Sequence, residues 1–229
     1  MKIIFVRHGH PNYKDDCLTP LGHKHAEAAA ERLCGEKIDA FYASSCGRAV
    51  ETAEHIAARF DGQVEKLDFM REIVWRPFDP QDTLPHNGHP WSITKDMVAA
   101  AASLTDCNWK ELDTFCRSQV LASFDRVEKG LDTWLEQFGY FREGDYYRVK
   151  GGSNATILLA SHAGSSTAAL CHLMNLQPLV TFQTMEPDYT SITIVEFKGE
   201  DGALIMPLLR MFNDARHIKE LTTEVVFGN

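Results

Sequence analysis

The stretch MKIIFVRHG at residues 1–9 decides the fold of this chain. Residues 2–6 form a short apolar run rich in β-branched side chains, which is typical of a strand buried on both faces. Polar residues follow at once and end the run. A second apolar run at residues 156–160 is followed in the same way by SHAG at residues 161–164. Buried strands of this kind favour a mostly parallel sheet whose two faces are covered by helices.

Helical signals alternate with these runs. A Thr-Pro capping signal opens an alanine-rich helix over residues 20–34, which stops at a glycine. Residues 39–43 predict a second strand, and residues 46–60 predict a second helix with one apolar face. Residues 64–67 are consistent with a third strand. The pattern strand, loop, helix therefore occurs twice in the first third of the chain.

The last third of the chain completes the same pattern. Residues 165–176 predict a helix behind the strand at residues 156–160. Residues 191–197 and 204–212 predict two closing strands. Strands that alternate with helices indicate an α/β fold, here a three-layer α/β/α sandwich with a mostly parallel sheet.

The segment between the two halves has a different character. Loops rich in aromatic residues, proline and histidine lead to a helix whose apolar residues recur every three or four positions between Val120 and Phe138. We expect residues 73–150 to form an inserted helical cap. With 229 residues and 44% hydrophobic content, residues 1–229 are expected to form a single domain around one core.

Charge and composition exclude several classes of protein. The 23 basic and 32 acidic residues leave a net charge of −9, which argues against binding to nucleic acid or a membrane surface. The longest apolar run, residues 97–102, is far shorter than a bilayer span. The first residues carry no signal-peptide pattern, so we expect a cytoplasmic protein.

The six cysteines stand at irregular spacings, without a C-x-x-C pair. The sequence therefore contains neither a zinc knuckle nor a redox motif. Nothing in the sequence indicates an oligomeric state.

Two histidines and two arginines follow the predicted strands. Arg7 and His8 follow the first strand, Arg48 lies in the first turn of the second helix, and His162 follows the strand at residues 156–160. In open α/β sheets, ligands gather beyond the carboxyl ends of the strands, so these four side chains are expected to converge. Guanidinium groups and helix N-termini suit a phosphate dianion. A neutral imidazole can attack phosphorus while the other groups stabilise the oxygens, without a metal or other cofactor.

A metal site is the alternative interpretation of the same stretch. His8 and His10 have the H-x-H spacing of some metallohydrolase ligands, and Asp15, Asp16 and Asp188 offer carboxylates to complete a set. The flanking arginines argue against a dication and favour an anion. We interpret His86 and His89, in the insertion, as loop histidines rather than ligands, with substrate contact as the alternative.

Four sequence blocks resemble the signature of the histidine phosphatase superfamily, the phosphoglycerate-mutase-like group. They are RHG at residues 7–9, SSCGRAVETA at residues 44–53, Arg-Glu at residues 71–72 and SHAG at residues 161–164. Their order and spacing agree with the family. The closing LRMFND at residues 209–214 is similar to the last strand and turn of many members, so the resemblance leaves mainly the insertion unmatched.

The resemblance implies a role for five residues. His8 becomes the nucleophile that carries a phosphohistidine, and Arg7, Arg48 and His162 form the phosphate pocket. Glu72 matches the position from which many members protonate the leaving oxygen. Ala163 supports that assignment, because it replaces the aspartate that another branch uses directly after the second histidine.

The expected activity is metal-independent hydrolysis of a small phosphorylated metabolite. Two alternatives remain open at this point: a phosphoglycerate-mutase-type phosphotransferase that depends on a phosphorylated cofactor, and a catalytically silent module that binds a phospho-ligand. The chain departs from its relatives after the first block, where His10-Pro11 replaces Glu-Thr or Gln-Thr and Lys14 replaces an asparagine. Asn12 and Lys14 are therefore further candidates for a phosphate contact.

Overall fold

The computed structural model describes residues 1–106 and 108–222. The strands are β1 Lys2–Arg7, β2 Pro11–Asn12, β3 Cys17–Leu18, β4 Ala40–Ser44, β5 Val64–Leu67, β6 Tyr140–Glu143, β7 Tyr146–Val149, β8 Thr156–Ser161, β9 Ile192–Glu196, β10 Leu204–Ile205 and β11 Leu208–Asp214. A six-stranded sheet in the order β11-β9-β1-β8-β4-β5 forms the centre of the fold, beside a three-stranded sheet in the order β10-β7-β6 and a two-stranded ribbon of β2 and β3. The helices are α1 Pro20–Leu33, α2 Gly47–Ala57, α3 Pro90–Ala99, α4 Asp113–Cys116, α5 Val120–Glu136, α6 Ala163–Met174, α7 Pro178–Thr184 and α8 Lys219–Thr222.

The central sheet is mostly parallel, as predicted. β1 pairs in parallel with β8, β8 with β4, and β4 with β5. β9 runs antiparallel to both β1 and β11, so it alone among the six strands is reversed. Its first residues consequently lie at the edge of the sheet where the parallel strands end.

Alternation along β1 divides the core between two helical layers. Ile4 and Val6 pack with apolar residues of α1 and α2, whereas Ile3 and Phe5 pack with those of α5 and α6. Successive side chains of a strand point to opposite faces of the sheet, so a continuous apolar run requires a helical layer on each face. The three-layer α/β/α fold predicted from the sequence is therefore confirmed.

Local signals account for the first helix. Thr19 is its N-cap: the side-chain oxygen accepts a hydrogen bond from the Gly22 N–H at 3.1 Å, and Pro20 occupies the first helical position. Proline fits there because its missing N–H would have no partner within the helix. Alanines on the inner face, such as Ala26 and Ala29, are fully buried, so α1 packs closely on α2 and on the sheet.

The segment at residues 73–150 contains two kinds of structure. Its long helix α5 shares a continuous core with the sheet and α6, so α5 forms part of the second helical layer. The residues before α5 contain short helices and turns, and residues 140–149 form the hairpin β6–β7, which the sequence analysis did not predict. The aromatic residues of this hairpin and the positive φ of Gly144 are typical strand and turn signals.

The prediction of one continuous strand over residues 204–212 was wrong, because the structure has two strands there. The structure divides this stretch into β10, which pairs with β7, and β11, which pairs with β9 at the edge of the central sheet. Pro207 lies at the break. Proline has no backbone N–H to donate to a neighbouring strand. A change from one sheet to another at this residue therefore gives up no ladder hydrogen bond from that position.

Candidate active site

Three neighbouring strands end together and bring the predicted residues to one place. In the β1–β8 ladder, Arg7 is paired with Ser161, so His8 and His162 follow at the same level. The rings of these two histidines lie 5.1 Å apart between centroids. β4 is paired on the other side of β8 and leads into α2, whose first turn carries Arg48. The predicted convergence of these residues is present in the structure.

A hydrogen bond to the backbone determines which nitrogen of the His8 ring carries the proton. Its Nδ1 lies 2.7 Å from the carbonyl oxygen of Gly9. A carbonyl oxygen only accepts hydrogen bonds, so Nδ1 carries the proton and Nε2 keeps a free lone pair. The residue is 1% exposed, and burial, followed by the nearby positive charges, lowers the pKa of His8 to about 3. His8 is therefore a neutral imidazole at physiological pH, with a nucleophilic nitrogen.

This state of His8 can be observed by NMR. We expect ¹H–¹⁵N correlation spectra of the His8 ring to show a protonated Nδ1 and an unprotonated Nε2 throughout the range of about pH 5 to 8, where an ordinary histidine titrates. In the unfolded chain, the His8 ring takes up its second proton near pH 6.5, whereas in the folded chain it does so only near pH 3. The free energy of unfolding should therefore decrease as the pH falls between those values. A ring that titrates near pH 6.5 in the folded protein would contradict this prediction.

The positive charges of Arg7 and Arg48 act on both histidines and lower the pKa of each ring. Arg7 donates to the carbonyl oxygen of Pro187, and its guanidinium lies 4.3 Å from the centre of the Tyr189 ring. Arg48 is buried and donates to the carboxylate of Asp16. The Nε atoms of both arginines are buried and find no acceptor among the described residues. Buried donors without a partner are costly, so an anionic ligand that supplies oxygen acceptors would bind favourably here.

His162 supplies a second neutral imidazole. It is fully buried at the N-cap of α6, and its Nε2 lies 2.8 Å from the hydroxyl oxygen of Ser44. Its Nδ1 has no hydrogen-bond partner among the described residues. Burial, together with His8 and the two arginines, keeps the pKa of His162 well below the usual value. A protonated His162 would repel these cations, and a bound phosphate would relieve that repulsion.

Glu72 lies at the N-terminus of α6, directly beyond His162. Its carboxyl oxygens accept hydrogen bonds from the backbone N–H groups of Ile73 and Ser165, each at 2.9 Å, and of Gly164 at 3.3 Å. A Cβ atom on Gly164 would lie only 2.5 Å from Glu72 Oε1, so glycine permits this close approach. Burial raises the pKa of Glu72 against the opposing effect of these hydrogen bonds. A raised pKa favours the protonated form that a general acid needs.

Two further residues of the site were not identified from the sequence. The centre of the Tyr189 ring lies 6.0 Å from the centre of the His8 ring. The guanidinium of Arg7 lies over the same tyrosine ring. Tyr189 precedes β9, and the reversed direction of that strand places it at the edge of the sheet where β1 and β8 end. Asp16, which the sequence analysis considered only as a metal ligand, accepts hydrogen bonds from Arg48 and from the Gly47 N–H at the start of α2. It therefore orients Arg48, which the sequence predicts as a phosphate ligand.

The remaining sequence candidates have local partners. Asn12 hydrogen bonds to Asp15 within its own loop, and Lys14 is exposed. In the insertion, His86 pairs with Asp96, and His89 contacts the hydroxyl of Ser92 at the start of α3. No group of three or more histidine, cysteine or acidic side chains within residues 1–106 and 108–222 has the arrangement of a metal site.

None of the helices in the described part of the chain combines the length and the hydropathy needed to cross a bilayer.

Comparisons with known proteins found a matching family model and several similar structures. A family model of the histidine phosphatase superfamily (branch 1) matches residues 3–207. No curated protein sequence matches the chain at a significant level. Among solved structures, a phosphoserine phosphatase from Entamoeba histolytica in complex with phosphoserine is similar, with 22% identity, 95% of this chain and 98% of that chain covered, and a TM-score of 0.63.

Two other solved structures share the fold. The α-ribazole phosphatase from Shigella flexneri is 18% identical to this chain, with a TM-score of 0.61. The alignment covers 94% of this chain and 97% of the phosphatase. A mycobacterial glucosyl-3-phosphoglycerate phosphatase has 20% identity, covers 93% and 98% of the two chains, and has a TM-score of 0.62. At these identities the similarity concerns the fold.

Proposed function

The chain belongs to branch 1 of the histidine phosphatase superfamily, and from that premise we propose that it hydrolyses small phosphomonoesters through a phosphohistidine on His8. The observation that carries the proposal is the hydrogen bond from His8 Nδ1 to the Gly9 carbonyl. It leaves Nε2 unprotonated, in a ring that the charges of Arg7 and Arg48 reach. An unprotonated nitrogen next to two cations suits attack on a phosphate dianion.

In the first step, His8 Nε2 forms a bond to phosphorus as the bond between phosphorus and the ester oxygen breaks. Arg7, Arg48 and His162 bind the other phosphate oxygens, where charge is redistributed in the transition state. Glu72 donates its proton to the leaving oxygen, so an alcohol departs instead of an alkoxide. The products of this step are the alcohol, phosphohistidine and the Glu72 carboxylate.

In the second step, water attacks the phosphohistidine. Glu72, now a carboxylate, takes a proton from the water as its oxygen bonds to phosphorus. The bond between nitrogen and phosphorus breaks, and His8 returns to the neutral ring with the proton on Nδ1. Inorganic phosphate leaves, and Glu72 is protonated again for the next cycle.

The division of the chain into a domain and a cap is part of this proposal. Because α5 packs in the core of the sandwich, the residues that cover the site belong to the part of the 73–150 insertion before α5. That stretch begins directly after Glu72, so it lies on the side from which the alcohol departs. The neighbouring structures include phosphatases for phosphoserine and for glucosyl-3-phosphoglycerate, and a small phosphorylated metabolite is the substrate class that we propose here.

A phosphate-release assay separates this proposal from its alternatives. We expect the protein to release phosphate from p-nitrophenyl phosphate and from 3-phosphoglycerate in EDTA, at the same rate as without the chelator. A silent binding module would release none, and a metalloenzyme would lose activity on chelation. A mutase would interconvert 2- and 3-phosphoglycerate after priming with 2,3-bisphosphoglycerate, with little release of phosphate. Each of those three results would contradict the proposed hydrolysis.

A further inference from the structure

Glu72, the proposed general acid, lies on a segment of irregular backbone. Strand β5 ends before it at Leu67, and residues 71–76 belong to neither a helix nor a strand. The hydrogen bonds of regular secondary structure therefore do not hold the Glu72 backbone. Because a catalytic group must be held within about 0.5 Å of its productive position, contacts from another element have to fix this segment.

One face of helix α5 supplies these contacts at three positions, Ser123, Arg126 and Gly130. Their spacing of three and four residues places them on the same side of the helix. The segment runs past them in the opposite direction, because Ser123 meets Val74 and Gly130 meets Phe69. We call these three positions the α5 cradle. The general acid lies between the two outer contacts and meets the middle position of the cradle.

Arg126 fixes the backbone on both sides of the Glu72 Cα atom. Its Nη2 donates to the carbonyl oxygen of Arg71 at 2.7 Å and to that of Glu72 at 3.2 Å. These carbonyls belong to the peptide groups before and after that Cα atom. Its Nε also donates to the Phe69 carbonyl oxygen at 3.3 Å. Hydrogen bonds from an ionised donor are stronger than those between neutral groups, and the flat guanidinium fixes the directions of its donors. One side chain therefore restrains the whole segment.

The two flanking positions of the α5 cradle fit the same segment. Ser123 is buried, and its Oγ accepts a hydrogen bond from the Val74 N–H at 3.0 Å. A Cβ atom on Gly130 would lie 2.2 Å from Cγ of the Phe69 ring, so glycine lets this ring pack directly on the helix. Glycine in a helix interior costs about 1 kcal/mol relative to alanine. A glycine at this position therefore favours the contact with the general-acid segment over the stability of the isolated helix.

Glu72 is thereby held at both ends. The backbone N–H groups of Gly164 and Ser165 at the start of α6 bind its carboxyl. Arg126 of α5 binds its backbone. Helices α5 and α6 share one core, so the two sets of contacts belong to one packed layer. That layer fixes both the position of Glu72 and the direction of its carboxyl relative to His162, which precedes α6.

We propose that Arg126 is the positioning residue of the general acid and holds Glu72 so that its carboxyl faces the leaving oxygen. This inference rests on the proposed function. In that mechanism Arg126 touches neither the phosphate nor the ester oxygen, so it acts through Glu72. Its loss should therefore slow the hydrolysis of esters whose leaving group needs a proton and spare esters whose leaving group departs without one.

The test compares an alkyl ester, 3-phosphoglycerate, with an aryl ester, p-nitrophenyl phosphate. We expect Arg126→Ala to lower kcat/KM for the alkyl ester by about 10- to 100-fold and to change that for the aryl ester by less than about threefold, because a group misplaced by about 1 Å can cost 10²-fold. In the Glu72→Gln background, Arg126→Ala should change either value by less than about threefold, because the proton that Arg126 positions is already absent. Such non-additivity separates positioning of Glu72 from a general loss of stability.

Three further variants complete the test, and each is judged by the ratio of the alkyl to the aryl kcat/KM. Lys129→Ala removes an exposed cation one turn further along α5, and it should leave the ratio unchanged. Arg126→Lys keeps the positive charge, which also reaches the His162 ring, but not the planar set of donors, so it should restore only part of the ratio. Gly130→Ala favours the helix but pushes Phe69 away. It should lower the ratio as well, so the inference is testable even if Arg126→Ala does not fold.

The possible failures are distinguishable. If the wild-type protein hydrolyses neither ester, the proposed function itself is wrong. If Glu72→Gln lowers kcat/KM equally for both esters, the general acid is another group, and the inference about Arg126 is wrong with it.

Other results would overturn the role of Arg126 alone. They are an unchanged ratio in folded Arg126→Ala, or an effect that adds in full to that of Glu72→Gln. Where Arg126→Ala does not fold, an unchanged ratio in Gly130→Ala has the same meaning. Full retention of the ratio in Arg126→Lys, or an equal loss in Lys129→Ala, would assign the effect to charge and would also overturn the positioning role.

Discussion

Replacing His8 with alanine is expected to reduce phosphoester hydrolysis by at least about 10³-fold, on the scale of the losses seen when other enzymes lose their nucleophile. The reason is chemical: the lone pair of His8 Nε2 forms the bond to phosphorus in the proposed mechanism, and alanine offers no nucleophile in its place. The neighbouring imidazole of His162 has its Nε2 on the Ser44 hydroxyl. Steady-state kinetics with p-nitrophenyl phosphate measures the effect, because that ester does not depend on a general acid.

A matched control is available two residues away. His10 lies on the same loop, but its Nδ1 is 2.9 Å from the Thr19 hydroxyl, so it is committed to the cap of α1. His10→Ala should keep activity within about tenfold of the wild type, because it removes no group that touches phosphate in the proposed mechanism. Thermal unfolding at neutral pH checks that both variants are folded. Residual turnover above about one percent in folded His8→Ala would contradict the role of His8 as nucleophile.

Replacing Glu72 with glutamine is expected to lower kcat/KM for alkyl phosphates by about 10²- to 10⁴-fold and to change kcat/KM for p-nitrophenyl phosphate far less. This parameter reports the steps up to formation of the phosphohistidine, so it leaves out the proton that Glu72 takes from water in the second step. An alkoxide is a strongly basic leaving group that needs a proton in the transition state, whereas p-nitrophenolate departs without one. Glutamine keeps the shape of the side chain and can still accept hydrogen bonds from Ile73 and Ser165. The ratio of kcat/KM for the two ester types therefore isolates the proton transfer from the packing of α6.

The outcome of that comparison is decisive for Glu72. Equal losses on alkyl and aryl esters would indicate that Glu72 acts only by holding the N-terminus of α6, where its carboxyl binds Gly164 and Ser165. The proton donor would then have to be another group. A loss confined to alkyl esters supports the general acid, because a structural defect has no means of recognising the leaving group.

Local sequence patterns were sufficient for most of the fold and for the core of the site. The apolar run of β1 requires helical layers on both faces, and the polar residues that follow it mark the strand end. The same reasoning places His162, and the predicted start of α2 places Arg48 in the first turn of that helix. These inferences need only local patterns: alternation along a strand, the apolar face of a helix, and the common direction of parallel strands.

The parts that were missed depend on long-range pairing. Tyr189 reaches the site because β9 runs against β1, and nothing in the local sequence of β9 states its direction. The break at Pro207 was visible as a proline, but the change of sheet depends on a partner strand, β7, some sixty residues earlier. The role of Asp16 likewise appears only when its loop is packed against the start of α2.

The most direct test of this account is to trap the phosphoenzyme. The wild-type protein is mixed with excess p-nitrophenyl phosphate, quenched in alkali within the first turnover, digested and mapped by mass spectrometry. We expect acid-labile, alkali-stable phosphate on His8, attached to Nε2, because Nδ1 is protonated and bound to the Gly9 carbonyl. Phosphate on another residue, attachment to Nδ1, or rapid turnover with no trapped phosphohistidine would contradict it.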